Sequence, residues 1–419
     1  MIKVFKFGGF AVSDAQSVKN LANIIASHAN DQILIIVSAM GKTTDALENL
    51  CKEYVKGDED AHEILKNIKQ FHENIMLDLF ENKNHQVFNE IANTFVEIEW
   101  MLEDEPHPDY DFNYDQIVSI GEFLSSRIVA AYLNQNEIST KWLDARDFIH
   151  TDNSYREGII DMDKTRLCMP HLQNQLKKQV IVTQGFIGGT SENFTTTLGR
   201  EGSDYSAAIF ASCLQAESLT VWKDVPGIMN ADPRLFPDAQ KYDELPYSEA
   251  LEMAYYGATI IHPKTIKPLQ NANVPLYVKP FLEPNQKGTI IHSMAILNTD
   301  IAAKIVKNNQ MLLSMSTKDF SFIDEQILIH LLQCVSQSNI KINMMQRSAM
   351  SLSVCFNQDD LKFNKLLNTL KDKFNCKYNQ ELSLLTVRHF KKENLNAICS
   401  GKTIIMEQFS RNTAQIILK

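Results

Sequence analysis

Lys6 stands two residues before the pair Gly8 and Gly9, and Arg200 stands four residues before Asp204 in the polar stretch TTTLGREGSDYSAA. Both groupings have the makings of an anion site. Glycines let a backbone turn sharply and come close to a ligand, a helix start presents unpaired N–H groups with partial positive charge, and a lysine adds a full charge. Beyond the glycines, Ser13 and Gln16 have the spacing of a capping box, and Val18, Leu21, Ala22 and Ile25 make one apolar stripe. The order is therefore strand, glycine turn, helix. A phosphate suits that turn, although a glycine pair after a strand is also simply a turn. In the second stretch Ser203 can cap a helix whose Ala207, Ala208, Phe210, Ala211 and Leu214 face the core. The planar fork of Arg200 suits a carboxylate held through two parallel hydrogen bonds. The plainer alternative is a surface ion pair between Arg200 and Asp204.

A third loop, WKDVPGIMNADPR, follows a strand and carries Asp224, Gly227, Asp232 and Arg234. Loops at strand ends are where sheets of alternating strands and helices bind ligands, though such a composition is by default a turn. The GKT of VSAMGKTTDAL imitates the end of a phosphate-binding P-loop, but that pattern requires glycine where this chain has Ile36.

These loops need a scaffold. Up to about residue 292, apolar runs such as QILIIV, QVIVTQGFIG, SLTVWKDV, VPLYVKP and GTIIH alternate with amphipathic stretches, which predicts a largely parallel sheet covered by helices. Residues 45–105 read as a helical insertion after the second strand, and EDEPHPDYDF as a loop. Past residue 298 the pattern becomes helix and strand in small α+β units with an antiparallel sheet. The expected division is a catalytic α/β domain over 1–295 and a smaller region over 296–419, its first unit at about 310–374 and a compressed second at about 380–419.

With 419 residues, 44% of them hydrophobic, the chain can bury a large core. A net charge of −10 argues against nucleic acid as a partner, and no apolar run approaches the length of a membrane span. The seven cysteines are scattered, odd in number and never C-x-x-C, which points to reduced thiols rather than a disulfide framework or a zinc site, and to a cytoplasmic setting.

The motifs KFGGFAV, VSAMGKTTDAL, VSIGEFLSS, TTTLGREGSDYSAA, WKDVPGIMNADPR and GATIIHPKTI, in this order, resemble those of aspartokinases, members of the amino-acid kinase superfamily. The tail resembles the regulatory ACT region of the same family. The resemblance implies a three-layer αβα kinase fold with an ACT-like region, and transfer of the γ-phosphoryl group of ATP to the β-carboxylate of L-aspartate with Mg²⁺. That product leads toward lysine, threonine and methionine. It also implies that Lys6, Phe7, Gly8 and Gly9 form the ATP-phosphate element. The acceptor site would be Thr44, Glu122, Arg200 and Ser203, with Arg200 on the α-carboxylate and Glu122 on the ammonium. Asp204 would orient Lys6 or help place magnesium, and Lys223, Asp224, Met229 and Arg234 would line the nucleotide.

The family further implies a homodimer or higher homo-oligomer and an end-product amino-acid effector, lysine or threonine. Several residues depart from the usual pattern: Phe10 and Ala11 follow the glycines, Lys223 replaces a threonine, Met229 a tyrosine, and Thr259 a basic residue. Two alternatives stay open: another amino-acid kinase acting on a related small carboxylate, and a non-catalytic amino-acid sensor. A carboxylate acceptor with a pKa near ~4 is already ionised at neutral pH, so the implied chemistry needs no general base. Its difficulty is the mutual repulsion of two anions, which positive groups must relieve.

Overall fold

The computed structural model describes the chain apart from residues 59, 259–260, 320, 393–394 and 396–397. It divides into two units, one of Met1–Ile228, Lys241–Leu251 and Ile260–Leu297, the other of Met229–Gln240, Glu252–Thr259 and Asn298–Lys419. Along residues 1–297 the strands are β1 (Ile2–Phe7), β2 (Gln32–Val37), β3 (Thr140–Trp142), β4 (Val180–Gln184), β5 (Ile187–Gly189), β6 (Thr195–Thr197), β7 (Ser218–Lys223), β8 (Glu244–Leu245), β9 (Leu276–Pro280) and β10 (Thr289–Ile291). The helices between them are α1 (Ala15–Ala26), α2 (Thr43–Lys56), α3 (Asp60–Leu79), α4 (Gln86–Glu103), α5 (Tyr110–Val118), α6 (Ile120–Gln135), α7 (Met162–Leu176), α8 (Gly202–Cys213), α9 (Tyr247–Tyr256) and α10 (Pro263–Ala272).

The main sheet runs β3-β4-β2-β1-β7-β9-β10-β8 and is parallel from β3 through β9, with β10 antiparallel to β9. Side chains alternate across a strand. Phe5, Phe7, Ile33, Ile35 and Val37 accordingly join one core with apolar residues of α1 to α6. Val4, Lys6, Leu34 and Ile36 take the opposite face, where Lys6 meets α8 through Asp204. Both faces are covered, so β2 is an unbroken apolar run after Gln32, while β1 carries Lys3 and Lys6 among its apolar residues. This is the expected three-layer αβα arrangement. The chain goes from β1 to β2 on one side and later returns to β7 on the other. Ligands bind beyond the carboxyl ends of the strands at such a reversal.

Local details differ from the sequence reading. A 3-10 turn at Gly9–Val12 takes Ser13 as its C-cap, and α1 is capped one step later by Asp14, whose carboxylate accepts the Ser17 N–H at 2.7 Å. Ser203 is not a cap either. Glu201, at φ +57°, precedes α8, which places Ser203 inside the first turn. The threonine stretch before Arg200 is no loop: Thr195–Thr197 pairs antiparallel with Ile187–Gly189 as a small ribbon, a fit for β-branched residues. Tyr110 already begins α5, inside the stretch expected to be a loop.

In the second unit β11 (Ala303–Thr317), α11 (Glu325–Gln337), β12 (Ile342–Arg347), β13 (Ser351–Asn357), α12 (Asp360–Leu370), β14 (Phe374–Arg388), β15 (Ile404–Phe409) and β16 (Thr413–Leu418) form an antiparallel sheet, ordered β12-β13-β11-β14-β16-β15, with two helices. Leu331 and Val335 of α11 and Leu366 of α12 pack on Leu313, Val354 and Phe356 of the strands. β11 begins earlier than the expected unit start at Gln310, because the chain passes through an irregularity at Asn309, φ +52°, without leaving the sheet. The part of the tail expected to leave little room for a helix contains residues 393–394 and 396–397, outside the described ones. Among the described residues no helix is long and apolar enough to cross a membrane.

Candidate functional site

A cleft of about 860 Å³ in the first unit is lined by Lys6, Ser38, Thr44, Glu122, Arg200, Ser203 and Asp204, among others. The structure thus brings Lys6 and the arginine loop to one opening, while Gly8 and Gly9 are not among its lining residues. Their positions follow from the elements. Lys6 is the penultimate residue of β1, Ser38 follows β2, and Thr44, Glu122 and Ser203 stand in the first turns of α2, α6 and α8. The starts of α2 and α8 therefore reach it, a setting that favours anions, whereas the Glu122 N–H of α6 is taken by the Ser119 carbonyl oxygen at 3.1 Å.

Two glycines make the approach possible. A Cβ at Gly9 would stand 2.8 Å from the Gly41 carbonyl oxygen, and one at Gly185 only 2.6 Å from the Ser203 Cβ. Any side chain there would push apart the turns that form the cleft floor.

The ammonium of Lys6 lies 2.5 Å from Asp204 Oδ1, and that of Lys223, at the end of the neighbouring strand β7, lies 2.9 Å from Oδ2. Asp204 is fully buried. Burial alone would push its carboxyl up, but Lys6 and Lys223 override that and hold it well below the usual carboxylate range. Burial works against the charge of Lys223, yet Asp204 and Glu201 raise its pKa, the Glu201 carboxylate standing 3.9 Å away. The surface ion pair between Arg200 and Asp204 does not form. Arg200 is exposed, with no hydrogen bond or ion pair among the described residues.

Glu122 is buried at the start of α6. Its Oε1 accepts the Ala39 N–H at 3.3 Å, while Oε2 has no partner among the described residues. Burial pushes its pKa to about 8, against the pull of the Ala39 N–H and of Lys6. The free cleft therefore holds Glu122 protonated at neutral pH, and a cation placed against Oε2 would ionise it.

The nucleotide candidates are more scattered. The Phe7 ring turns into the core and stacks on Trp222, 6.1 Å between centroids at 4°, which leaves only its backbone for a ligand. Gly8 and Gly9 open the 3-10 turn. Asp224 is exposed just past β7. Met229 and Arg234 belong to the second unit, and Arg234 folds back on Asp232, its Nη2 2.7 Å from Oδ2. Phe10 packs edge-on against Phe281. Thr259 lies outside the described residues. Among the described residues no group of three or more His, Cys, Asp or Glu is arranged to hold a metal. With both Asp204 oxygens taken by ammoniums, the residues fit a magnesium ion held chiefly by the phosphates of a nucleotide.

The sequence reading overlooked Tyr114, Tyr155, Arg156 and Phe186, which also line the cleft. They come from a helix and two strand-end loops without motif spacing. Asp115, also unforeseen, ties that rim together: its carboxylate accepts the Thr197 hydroxyl at 2.6 Å and the N–H groups of Thr197 and Arg156 at 2.9 and 2.8 Å. Burial raises its pKa to about 6 in spite of these bonds.

Residues 1–280 match the model of the amino acid kinase family. The aspartokinase of Chlamydia trachomatis is 33% identical over 314 residues, 74% of this chain and 69% of that protein. The chloroplastic bifunctional aspartokinase/homoserine dehydrogenase 2 of Arabidopsis thaliana is 28% identical over 401 residues. That alignment covers 89% of this chain, which spans 42% of the plant protein's length. The structure is also similar to that of Escherichia coli aspartokinase III in complex with aspartate and ADP, with TM-score 0.85 and 26% identity over 100% of this chain and 96% of that one.

Proposed function

Because this chain belongs to the amino acid kinase family, we propose that it is an aspartokinase, transferring the γ-phosphoryl group of ATP to the β-carboxylate of L-aspartate to give 4-phospho-L-aspartate. The observation that carries this reading is the single cleft holding a buried, carboxylate-anchored lysine, an uncommitted arginine and a buried glutamate with a free oxygen. Those are complements of a phosphate, a carboxylate and an ammonium. The relatives named aspartokinase, one of them seen with aspartate and ADP, support the choice of substrates.

The acceptor carboxylate is its own nucleophile. What the chain supplies is position and charge. Arg200 takes the α-carboxylate, Glu122 loses its proton as the α-ammonium arrives, and Thr44 and Ser203 offer hydroxyls and helix-start N–H groups to the acceptor. Asp204 holds the Lys6 ammonium at the end of β1, where it stabilises negative charge on the transferring phosphoryl group. Gly8, Gly9, Lys223 and Asp224 stand by the nucleotide phosphates, with Met229 and Arg234 as further nucleotide residues. A magnesium ion bound to those phosphates supplies additional neutralisation. The C-terminal unit takes an end-product amino acid, lysine or threonine, and the chain assembles as a homodimer or larger oligomer in the cytoplasm.

The test is ATP-dependent hydroxamate formation with aspartate, glutamate and N-acetylglutamate. Formation with aspartate is expected. Silence with aspartate while another acceptor reacts would move the assignment to that acceptor.

A further inference from the structure

Arg156 has a backbone φ of +65°, in the left-handed region that residues with a Cβ seldom adopt. A strained residue of this kind persists only where its surroundings impose it. Here Asp115 does so, accepting the Arg156 N–H at 2.8 Å with the same Oδ2 that takes the Thr197 N–H at 2.9 Å. The bond fastens the Arg156 loop to β6, and β6 runs straight into the loop of Arg200. The two loops touch: a Cβ at Gly199, φ +76°, would stand 3.3 Å from the Arg156 carbonyl oxygen. Two touching loops thereby each contribute an arginine, Arg156 and Arg200, to the lining of one cleft.

The side chain is placed as firmly as the backbone. The guanidinium lies 4.3 Å from the centroid of the Tyr114 ring, and the Tyr114 hydroxyl donates to Glu48 Oε1 at 2.6 Å. Stacking on an aromatic face orients the planar fork at low entropic cost. It pairs with Asp111, at 3.3 Å and half-exposed, a screened pair that a ligand can outcompete.

We infer that Arg156 is a specificity-determining residue of the acceptor end. Its guanidinium is a second cation beside Arg200, so that the cleft selects an amino acid with two carboxylates over one with a single carboxylate. The inference rests on the aspartokinase reading for the acceptor's identity. The residue itself is chosen by geometry: imposed left-handed backbone, oriented fork, and contact with the arginine loop.

The experiment uses the full-length protein and two variants, Arg156→Gly, since glycine accepts φ +65° without strain, and Arg156→Lys, which keeps the charge and loses the fork. KM values for aspartate and ATP are measured, together with calorimetric binding of aspartate and of asparagine, which carries no side-chain charge. Arg156→Gly should raise the KM and Kd of aspartate by about tenfold or more, as expected for a charge-assisted hydrogen bond, and move the KM of ATP by less than about twofold. Asparagine binding should not change, and Arg156→Lys should restore part of the aspartate affinity. Equal aspartate affinity in wild type and Arg156→Gly, or an equal loss for asparagine, would overturn the inference. Wild-type protein that binds aspartate in an Arg156-dependent way without phosphorylating it would sink the proposed reaction and leave this inference standing.

Discussion

The ammoniums of Lys6 and Lys223 grip opposite oxygens of one carboxylate, that of Asp204. With the Glu201 carboxylate 3.9 Å from Lys223, the cluster sets two ammoniums against two carboxylates. A phosphate chain entering there meets ammoniums already fixed in place, and neither lysine has to be buried without a counter-ion.

Substitution at Lys6 and at Asp204 separates their duties. Lys6→Met should lower turnover by about 10²–10³-fold, the usual effect of removing one group that stabilises transition-state charge. Lys223 would still pair with Asp204, so the variant should fold. Asp204→Ala strands the Lys6 ammonium and leaves Lys223 only the Glu201 carboxylate at 3.9 Å, and should destabilise the unit by about 3–5 kcal/mol. Steady-state kinetics and urea titration read the two effects.

Glu122 predicts a proton signal. With its folded-state pKa at about 8 and an ordinary value of 4.5, the folded protein keeps a proton that the unfolded chain has lost between those values. Stability of the free protein therefore falls as pH rises from about 4.5 to 8, by a total on the order of 5 kcal/mol. Glu122→Gln should abolish that slope. Binding of an ammonium against Oε2 should release close to one proton at pH 7, measurable by calorimetry in buffers of different ionisation enthalpy. No proton release would contradict the placement of the ammonium.

Among the described residues the Arg200 side chain makes no hydrogen bond or ion pair, so its loss should show in binding and not in folding. Arg200→Ala is expected to raise the KM of the acceptor by about 10–100-fold, the worth of a hydrogen-bonded charge, with a change in Tm below about 1 °C. A large drop in Tm would mean that the side chain supports the loop instead.

On the acid side, His72 sets a limit. It is wholly buried in α3, with Nδ1 2.8 Å from the Ile68 carbonyl oxygen and Nε2 without a partner. Burial lowers its pKa from 6.5 to about 4, outweighing that bond. The unfolded chain takes up a proton below pH 6.5 that the folded one refuses until about 4, so acidification through that window should cost about 3 kcal/mol. His72→Phe should flatten the acid limb in a pH series of urea midpoints.

What the sequence disclosed follows from how much of the signal is local. Apolar runs such as QILIIV and SLTVWK become β2 and β7 because burial on both faces demands uniformly apolar residues, and KFGG and GREGSD mark the turns at strand and helix ends. Polar and short strands were hidden: TTT in β6 and TKW in β3 have no run long enough to show periodicity. The caps were misplaced by a step or two, since Asp14 and Ser13 are equally good candidates until the 3-10 turn before them is known. Asn308 and Asn309 resemble a turn, yet they sit within β11. At the site, motif residues could be named from the chain alone. Arg156 could not, because its place depends on Asp115, forty-one positions away, holding its backbone.

The alternation along β1 assigns Phe5 and Phe7 to the layer of α1 to α6 and Lys6 to the layer of α8. Inserting or deleting one residue within that strand would exchange the two sides, sending an ammonium into hydrocarbon and a phenyl ring toward Asp204. Chemistry and folding are thus written in the same six residues, and a frame error there would abolish both together.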